Sequence, residues 1–392
     1  MLKWCVYMVD ESTFPALAED VINAIGVKGG DAVFISGGSH EQKFLEEIGI
    51  AVARRGGQPL ISAVSNDYQK RLLEACTVAQ LKRMPKIMMG IAQSMDAYVI
   101  VEPYSDPSIK ALFRDKMQAR SEGNFPVMQV IYGKPGKRWL YMGWATEGMA
   151  KMYHVPLQVL EKLVIGGCNI DYGKLRARCE HVMSVLHNAR YVHATDPHGT
   201  DFRLDIGGRR LNPDDGMLSP EKIAAGDLGG NLPAGEVFVA PVETYGGGTI
   251  YCPLTIDDLT RGIIIKGVRL KFENGTLLRG ECTADVNQDV LRDTLDKMVE
   301  LDMEKYDSPN ALKVAELGIG LNPVIDRAIG YILTDEKIGG SVHVAFGRSD
   351  MYGGNVQSNM HWDFVTAPDV TLEVEYGDGS RKLLMKDGRL VP

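Results

Sequence analysis

Short apolar runs alternate with segments of helical periodicity over the first 170 residues, a pattern typical of strands that alternate with helices. The predicted strands cover Asp31 to Ser36, Pro59 to Val64 and Ala97 to Glu102, and a further strand opens at Pro126. The predicted helices cover Glu41 to Ala53, Asp67 to Ala79 and Ile109 to Met117. This rhythm predicts βαβ units, so residues 1–170 are expected to form a doubly wound α/β domain with a parallel sheet.

The pattern changes after a predicted helix from Tyr172 to Ala189. Short runs separated by Gly, Pro and Asn follow: FRLDIGGR, EVFVAPVE, GTIYCPL, GIIIKGVRLKFENGTLL, SVHVAFG, MHWDFV, VTLEVEYGDG and RKLLMKDGRLV. Asn-Gly in ENG and Asp-Gly in YGDG accept the positive φ that type I′ hairpin turns need. One helix interrupts the strands, from about Thr283 to Tyr306. Residues 171–392 are therefore predicted to form a mainly antiparallel β (α+β) domain.

The composition is that of an ordinary globular protein with two domains. The chain has 392 residues, of which 45% are apolar and 24% charged, and its net charge is −8. An acidic chain of this kind is not expected to bind nucleic acid or an anionic membrane, since both partners require a basic surface. The N-terminal segment MLKWCVYMVDEST lacks the apolar core and cleavage site of a signal peptide, and no stretch approaches 18 uncharged apolar residues. We expect a cytoplasmic protein.

Two other kinds of site are not indicated. The six cysteines are scattered without a CxxC pair, so neither a disulfide framework nor a cysteine zinc site is predicted. The turn ISGGSHEQKF lacks both the GxGxxG spacing and the P-loop lysine. Its glycines are interpreted as serving a tight turn, and no nucleotide site is predicted.

Carboxylates and imidazoles in the last third of the chain are candidate metal ligands. They are Glu236 in NLPAGEVFVAP, Glu316 in VAELGIGLNP, His343 in GSVHVAFGRS, and His361 and Asp363 in SNMHWDFV. Side chains alternate along a strand, so His361 and Asp363 share one face and offer a nitrogen and an oxygen to one ion. Glu316 interrupts an apolar run, where a carboxylate is costly unless it is paired or bound to a metal.

Each candidate also has a structural interpretation. Taken alone, Glu236 reads as a surface carboxylate at the start of a strand, and His343 as a buried histidine with satisfied hydrogen bonds. If all five candidates converge, the three carboxylates repel one another, and two divalent cations resolve that repulsion. Four positive charges against three negative ones leave room for one bridging hydroxide, the nucleophile of a two-metal hydrolase.

Taken together and in this order, the motifs resemble one family. The segments GTDFRLDIGGR, NLPAGEVFVAPVE, VRLKFENG, AELGIG, VHVAFGRS and HWDFV are similar to those of the thermophilic metallo-aminopeptidases, which include aminopeptidases T and S. The similarity is strong from about His193 to Thr366 and rests mainly on the βαβ rhythm before residue 170. It implies an N-terminal α/β domain, a C-terminal catalytic domain and a homodimer.

The resemblance also implies roles for individual residues. The five candidates would hold two divalent ions (zinc, cobalt or manganese), and Tyr352 in GRSDMYGGN takes the place of an active-site tyrosine near the metals. Our own mechanistic hypothesis is that Glu316 is the ligand shared by both ions, because its buried setting suits a bridging carboxylate, and that Tyr352 donates a hydrogen bond to the oxyanion of the tetrahedral intermediate. The implied reaction is removal of the N-terminal amino acid from a small peptide through a metal-bridging hydroxide.

Three alternatives remain open at the level of sequence. His343, His361 and Asp363 also form the 2-His-1-carboxylate set of non-haem iron enzymes, and a related branch resembles the 2,5-dihydroxypyridine ring-cleaving dioxygenases, which use one Fe(II). A metal-dependent hydrolase of a non-peptide amide uses the same metal chemistry with a different pocket. A binding protein with a degenerate site predicts no stoichiometric metal and no effect of Asp363→Asn.

Overall fold

The computed structural model describes residues 11–133, 135–257 and 262–392. Cys5 and the first ten residues, on which part of the targeting prediction rests, lie outside the described residues. The chain forms two compact units. The first comprises the residues up to Asn169 together with Gly216–Pro233, and the second comprises Ile170–Asp215 and Ala234–Pro392.

Helices and strands are numbered in chain order over the described residues. The helices are α1 Phe14–Ala24, α2 Gln42–Arg54, α3 Asn66–Ala75, α4 Val78–Leu81, α5 Lys86–Ser94, α6 Ser108–Leu112, α7 Arg114–Tyr132, α8 Glu147–Met152, α9 Leu157–Cys168, α10 Tyr172–Leu186, α11 Pro220–Ala224, α12 Gln288–Tyr306 and α13 Ile332–Asp335. The strands are β1 Ala32–Gly38, β2 Gln58–Val64, β3 Ala97–Val101, β4 Arg138–Met142, β5 Ala189–Thr195, β6 Asp201–Asp205, β7 Leu211–Asp214, β8 Gly229–Leu232, β9 Glu236–Val239, β10 Gly247–Ile256, β11 Ile264–Glu273, β12 Thr276–Leu277, β13 Val314–Gly320, β14 Val342–Gly347, β15 His361–Val365, β16 Thr371–Tyr376, β17 Arg381–Lys386 and β18 Arg389–Leu390.

The first unit is built on a five-stranded sheet in the order β2-β1-β3-β4-β8. All four strand pairs are parallel. Apolar residues such as Ile35, Val99 and Leu140 are buried along the central strands, as expected for a sheet covered by helices. The predicted α/β fold with a parallel sheet is confirmed. Strand β8 comes from Gly216–Pro233, a return of the chain that the predicted boundary at residue 170 did not include.

The strand predicted to open at Pro126 is wrong, because helix α7 continues through it to Tyr132. The buried residues of this helix, Ala119, Gly123, Val127 and Ile131, recur every four positions. That spacing places them on one helical face. The next strand of the sheet is instead β4, which the sequence pattern did not indicate.

The second unit contains two antiparallel sheets. The larger has eight strands in the order β12-β11-β10-β6-β5-β16-β17-β18, and the smaller has five in the order β15-β14-β13-β9-β7. The predicted mainly antiparallel β fold of this half is confirmed. Helix α12 begins at Gln288 rather than at the predicted Thr283, since Thr283 instead forms a β-bridge with Arg269.

The five-stranded sheet of the second unit carries the candidate ligands. Its central strand β13 is buried at every position, and its neighbour β14 is buried throughout as well. The two sheets of this unit meet through aromatic side chains, with Phe272 of β11 and Phe346 of β14 at 5.8 Å between ring centroids. The described helices include none long and apolar enough to cross a membrane.

Candidate metal centre

Four neighbouring strands bring the five predicted ligands to one face of this sheet. Glu236 begins β9, Glu316 lies in β13, His343 in β14, and His361 and Asp363 in β15. Residues directly opposite each other in an antiparallel pair point to the same side. His343 pairs with Gly318, Glu236 with Gly320, and both Glu316 and Asp363 with Ala345. The register therefore directs all five side chains to a common face.

Glu236, Glu316 and His343 form the first of two clusters, with ligand atoms within 4.8 Å of one another. His343 Nε2 lies 3.2 Å from Glu316 Oε1 and 3.4 Å from Glu236 Oε2. The side chain of His343 is fully buried, and those of the two glutamates are 6% and 9% exposed. Two carboxylates and one imidazole thus converge at an almost fully buried position.

Glu316, His361 and Asp363 form the second cluster. His361 Nε2 lies 3.6 Å from Glu316 Oε2 and 3.3 Å from Asp363 Oδ1. The other ring nitrogen of His361, Nδ1, lies 2.8 Å from the carbonyl oxygen of Arg348, a contact that orients the ring. Glu316 belongs to both clusters, because its two carboxylate oxygens face different histidines.

A glycine makes room for His343 on this face. A Cβ at Gly318 would lie 2.0 Å from both Cε1 and Nε2 of the imidazole. Real Cβ atoms are not found at such distances, so the ring occupies the space that a side chain at position 318 would fill. Strand β13 also has a register shift between Val314 and Glu316. Such irregularities re-aim a side chain next to an active site.

Lys337 is a charged residue of the centre that the sequence patterns did not indicate. Its side chain is fully buried, and Nζ donates to Glu236 Oε1 at 2.7 Å and to Glu336 Oε2 at 2.8 Å. Asp214 Oδ2 lies 3.8 Å from the same ammonium group. The lysine follows α13 in the turn TDEKIGG, where a charged residue ordinarily indicates solvent exposure. Lys337 is recognised as part of the centre only from its contact with Glu236, which lies 101 residues earlier in the chain.

The cluster shifts the pKa values of its members toward the protonated forms. Burial opposes the charged imidazolium, but the hydrogen bond to Glu316 and the charge of Glu236 outweigh it and raise the pKa of His343 to about 9. The pKa of His361 rises to about 10 for the same reason, with Asp363 as its main partner. Burial raises the pKa of Glu236 to about 8, although Lys337 acts in the opposite direction.

The metal-free protein is expected to lose stability as the pH rises from about 6.5 to 10. In the folded state both histidines hold protons above the ordinary imidazole pKa, so the stability they contribute is complete below that value and is lost as pH passes through about 9 to 10. The raised pKa of Glu236 likewise makes the folded protein less stable as the pH rises. We expect the unfolding temperature to fall by roughly 5 °C over this range, measured by calorimetry with chelator present.

Two variants test the origin of this pH dependence. His343→Asn should flatten the decrease, whereas His187→Asn, at an exposed histidine outside the cluster, should leave it unchanged. A melting temperature that rises from pH 7 to 10, or an equal slope in both variants, would contradict the assignment.

The donor set fits a divalent cation. Glu236 Oε2 and Asp363 Oδ1 are buried and accept no hydrogen bond from the described residues. Each faces an imidazole nitrogen, at 3.4 and 3.3 Å, without forming a hydrogen bond to it. A buried carboxylate oxygen without a hydrogen bond is costly, and a cation would satisfy both atoms. Oxygen and imidazole nitrogen ligands suit zinc, manganese, cobalt and iron. The five residues are therefore chemically suited to bind metal, and their role as ligands remains a prediction.

Tyr352 lies at the edge of the second cluster, in the loop between β14 and β15. Its hydroxyl donates to the carbonyl of Arg348 at 2.9 Å and lies 3.3 Å from His361 Nδ1. Burial and the nearby carboxylates of Glu316 and Asp363 raise the pKa of the phenol well above its usual range. The phenol therefore stays protonated and is able to donate a hydrogen bond.

A partly buried ion pair anchors the loop that carries Tyr352. Arg209 Nη2 donates to Glu243 Oε2 at 2.5 Å, and the same guanidinium donates to the carbonyl of Gly353 at 3.1 Å. Glu243 also accepts from the backbone amide of Asn355 at 2.7 Å. The segments GTDFRLDIGGR and APVET, from which these two residues come, gave no indication of this role because the contacts span more than 100 residues.

Comparisons with solved structures show the fold. The wild-type AmpT from Thermus thermophilus has a TM-score of 0.76 at 18% sequence identity, over 97% of this chain and 100% of that chain. The 2,5-dihydroxypyridine dioxygenase from Pseudomonas putida KT2440 has a TM-score of 0.60 at 15% identity, over 98% of both chains. No curated protein sequence matches this chain.

The family comparison covers nearly the whole chain. The sequence profile of the thermophilic metalloproteases (M29) matches residues 15–390. This match confirms the family that the ordered motifs of the C-terminal half predicted, and it extends the similarity through the first unit. The chain therefore belongs to the thermophilic metalloprotease (M29) family and is a metal-dependent peptidase, a hydrolase.

Proposed function

We propose that the chain is a dinuclear metal-dependent aminopeptidase that removes N-terminal amino acids from small peptides. The observation that carries this proposal is the position of Glu316, whose two oxygens face His343 and His361 respectively. Glu236 completes one cluster and Asp363 the other, so each cluster has its own imidazole and carboxylate and shares Glu316. Two divalent ions would therefore be held by Glu236 and His343 on one side and by His361 and Asp363 on the other, with Glu316 available to both.

When bound, a pair of divalent ions supplies Lewis acidity and a nucleophile from water at neutral pH. The chain's own residues position the reaction. Glu316 lies in a strand that is buried along its whole length, so its carboxylate moves little. Lys337 holds one oxygen of Glu236 and leaves the other directed toward His343. The bridging hydroxide remains a prediction from the charge count.

Tyr352 is the proposed donor to the oxyanion of the tetrahedral intermediate. Its phenol is protonated and lies beside His361. The ion pair of Arg209 and Glu243 fixes the backbone of the loop at Gly353 and Asn355, directly after the tyrosine. The phenol hydrogen, which donates to the carbonyl of Arg348, has to turn toward the oxyanion, whereas the anchored backbone of the loop keeps its position during the reaction.

Metal content and hydrolysis measured on one sample test the proposal. Protein purified without added metal or chelator is analysed for elements, and the same sample is assayed on a panel of amino-acid anilides. We expect close to two divalent ions per chain together with anilide hydrolysis. Asp363→Asn should lose both metal and activity, whereas Asp67→Asn, at a side chain that is 76% exposed, should keep both.

Other results would replace the proposal by a stated alternative. Two ions without anilide hydrolysis would favour a hydrolase of a non-peptide amide. One iron per chain without hydrolysis would favour the ring-cleaving dioxygenase, since His343, His361 and Asp363 form the ligand set of such a site. Full function in Asp363→Asn without stoichiometric metal would favour a binding protein. The homodimer and the cytoplasmic location implied by the sequence also remain predictions.

A further inference from the structure

A cavity of about 80 Å³ lies along strand β15 in the second unit. Strand β10 lines it at Leu254 and Ile256, helix α12 at Met298, and helix α13 at Ile332. Strand β15 contributes both of its faces, because it is the edge strand of its sheet. The cavity is therefore enclosed by three further elements around an edge of the metal-binding sheet.

The cavity shares two residues with the candidate metal centre. His361 and Asp363, two of the five candidate ligands, are also part of its lining. If the reacting carbonyl of a substrate lies at these two residues, a substituent next to that carbonyl can enter the cavity. Because the cavity adjoins the centre directly, that group is the side chain attached next to the reacting carbonyl.

The chemistry of the lining favours an apolar occupant. Apart from the two candidate ligands, the polar side chains of the lining are already satisfied within the protein: Thr294 Oγ1 donates to the carbonyl of Val290 at 2.8 Å, and Thr255 Oγ1 accepts from the indole of Trp362 at 3.2 Å. Asp335 accepts from the backbone amides of Ile329 and Gly330. A charged side chain would lose its hydration here, and the carboxylate of Asp335 is already engaged by backbone amides, so burying the charge is unfavourable.

We propose that this cavity is the specificity pocket for the side chain of the N-terminal residue, and that it selects aliphatic side chains of the size of leucine or methionine. The proposal rests on the aminopeptidase function proposed above. Each methylene group that a pocket of this kind buries or excludes changes kcat/KM by about 10- to 200-fold. Leucine anilide is therefore expected to be cleaved at least about tenfold faster than alanine anilide, and lysine anilide more slowly than both.

Ile332 offers a way to fill the cavity with little risk to folding, because it is only partly buried at the start of α13. Ile332→Trp should lower kcat/KM for leucine anilide at least about tenfold and leave alanine anilide nearly unchanged. Ile332→Ala should shift the preference toward phenylalanine anilide. The matched control is Ile87→Trp, at an isoleucine of the first unit that is 83% exposed, and it should change neither substrate.

Two readouts separate this inference from the proposed function. The specificity pocket would be wrong, and the aminopeptidase function would stand, if the protein hydrolyses anilides but Ile332→Trp lowers kcat/KM equally for alanine and leucine anilides. A preference for lysine anilide would have the same consequence. If no anilide is cleaved, calorimetric binding of free leucine decides. If the protein binds leucine and Ile332→Trp weakens this binding at least about tenfold, the pocket is supported although the aminopeptidase function is not. If leucine does not bind, or binds the variant equally well, both the pocket and the aminopeptidase function are wrong.

Discussion

Replacing Glu316 by alanine is expected to abolish peptide hydrolysis and to reduce the bound metal. Its two oxygens face the two histidines at 3.2 and 3.6 Å, so the substitution removes a ligand from both clusters at once. It also leaves His343 and His361 without a shared carboxylate. Loss of about 4 kcal/mol of transition-state stabilisation corresponds to a decrease in kcat/KM of roughly 1,000-fold or more.

The measurement is kcat/KM on a leucine anilide together with elemental analysis of the same preparation. Glu300→Ala is the matched control, since that glutamate side chain is 66% exposed on α12. Thermal unfolding of both variants distinguishes a lost ligand from a lost fold. Unchanged metal content and activity in Glu316→Ala would show that Glu316 is not a ligand. The dinuclear proposal would then lose its basis.

Gly318→Ala is expected to disrupt the centre without touching any candidate ligand. The new Cβ would lie 2.0 Å from Cε1 of His343, and both residues belong to strands that are buried at every position. Neither backbone has free space to move into, so the imidazole must leave its place beside Glu316 and Glu236. Since a misplacement of about 1 Å costs on the order of 100-fold in rate, we expect at least that loss, with weaker metal binding.

Gly377→Ala is the control for this substitution. An added Cβ at Gly377 meets nothing within 4 Å, so metal content, activity and unfolding temperature should all remain at the level of the wild type. A metal titration of both variants by calorimetry provides a readout that does not depend on turnover. Metal affinity in Gly318→Ala equal to that of the control would show that His343 is not held against Gly318 in the functional protein.

The two residues differ in how clearly the sequence indicates their importance. Glu316 is a carboxylate in an apolar run, and the cost of burying an unpaired charge is enough to make it a candidate ligand. Gly318 belongs to the same run, but nothing local separates it from Gly320 or from any other strand glycine. Its importance comes from the pairing with His343 on the neighbouring strand, which is a property of the register of the sheet.

Helix α7 shows where the local pattern is insufficient. The apolar run after Pro126 is compatible with a strand, because a proline and β-branched residues stand near its start. In the folded chain Val127 and Ile131 are buried four positions apart, on one face of a helix. A short apolar run fits both periodicities, and only its packing against the rest of the first unit distinguishes them.

Strand alternation, turn residues and motif order are local properties, so the amino-acid sequence was sufficient to predict the family and both kinds of fold and to indicate five candidate ligands, whose role remains a prediction. The folded structure was needed to show that Glu316 faces both histidines, that Lys337 is buried against Glu236, and that β8 returns to the parallel sheet. These features join residues far apart in the chain. Their energies depend on burial and on strand register, which no local pattern of residues encodes.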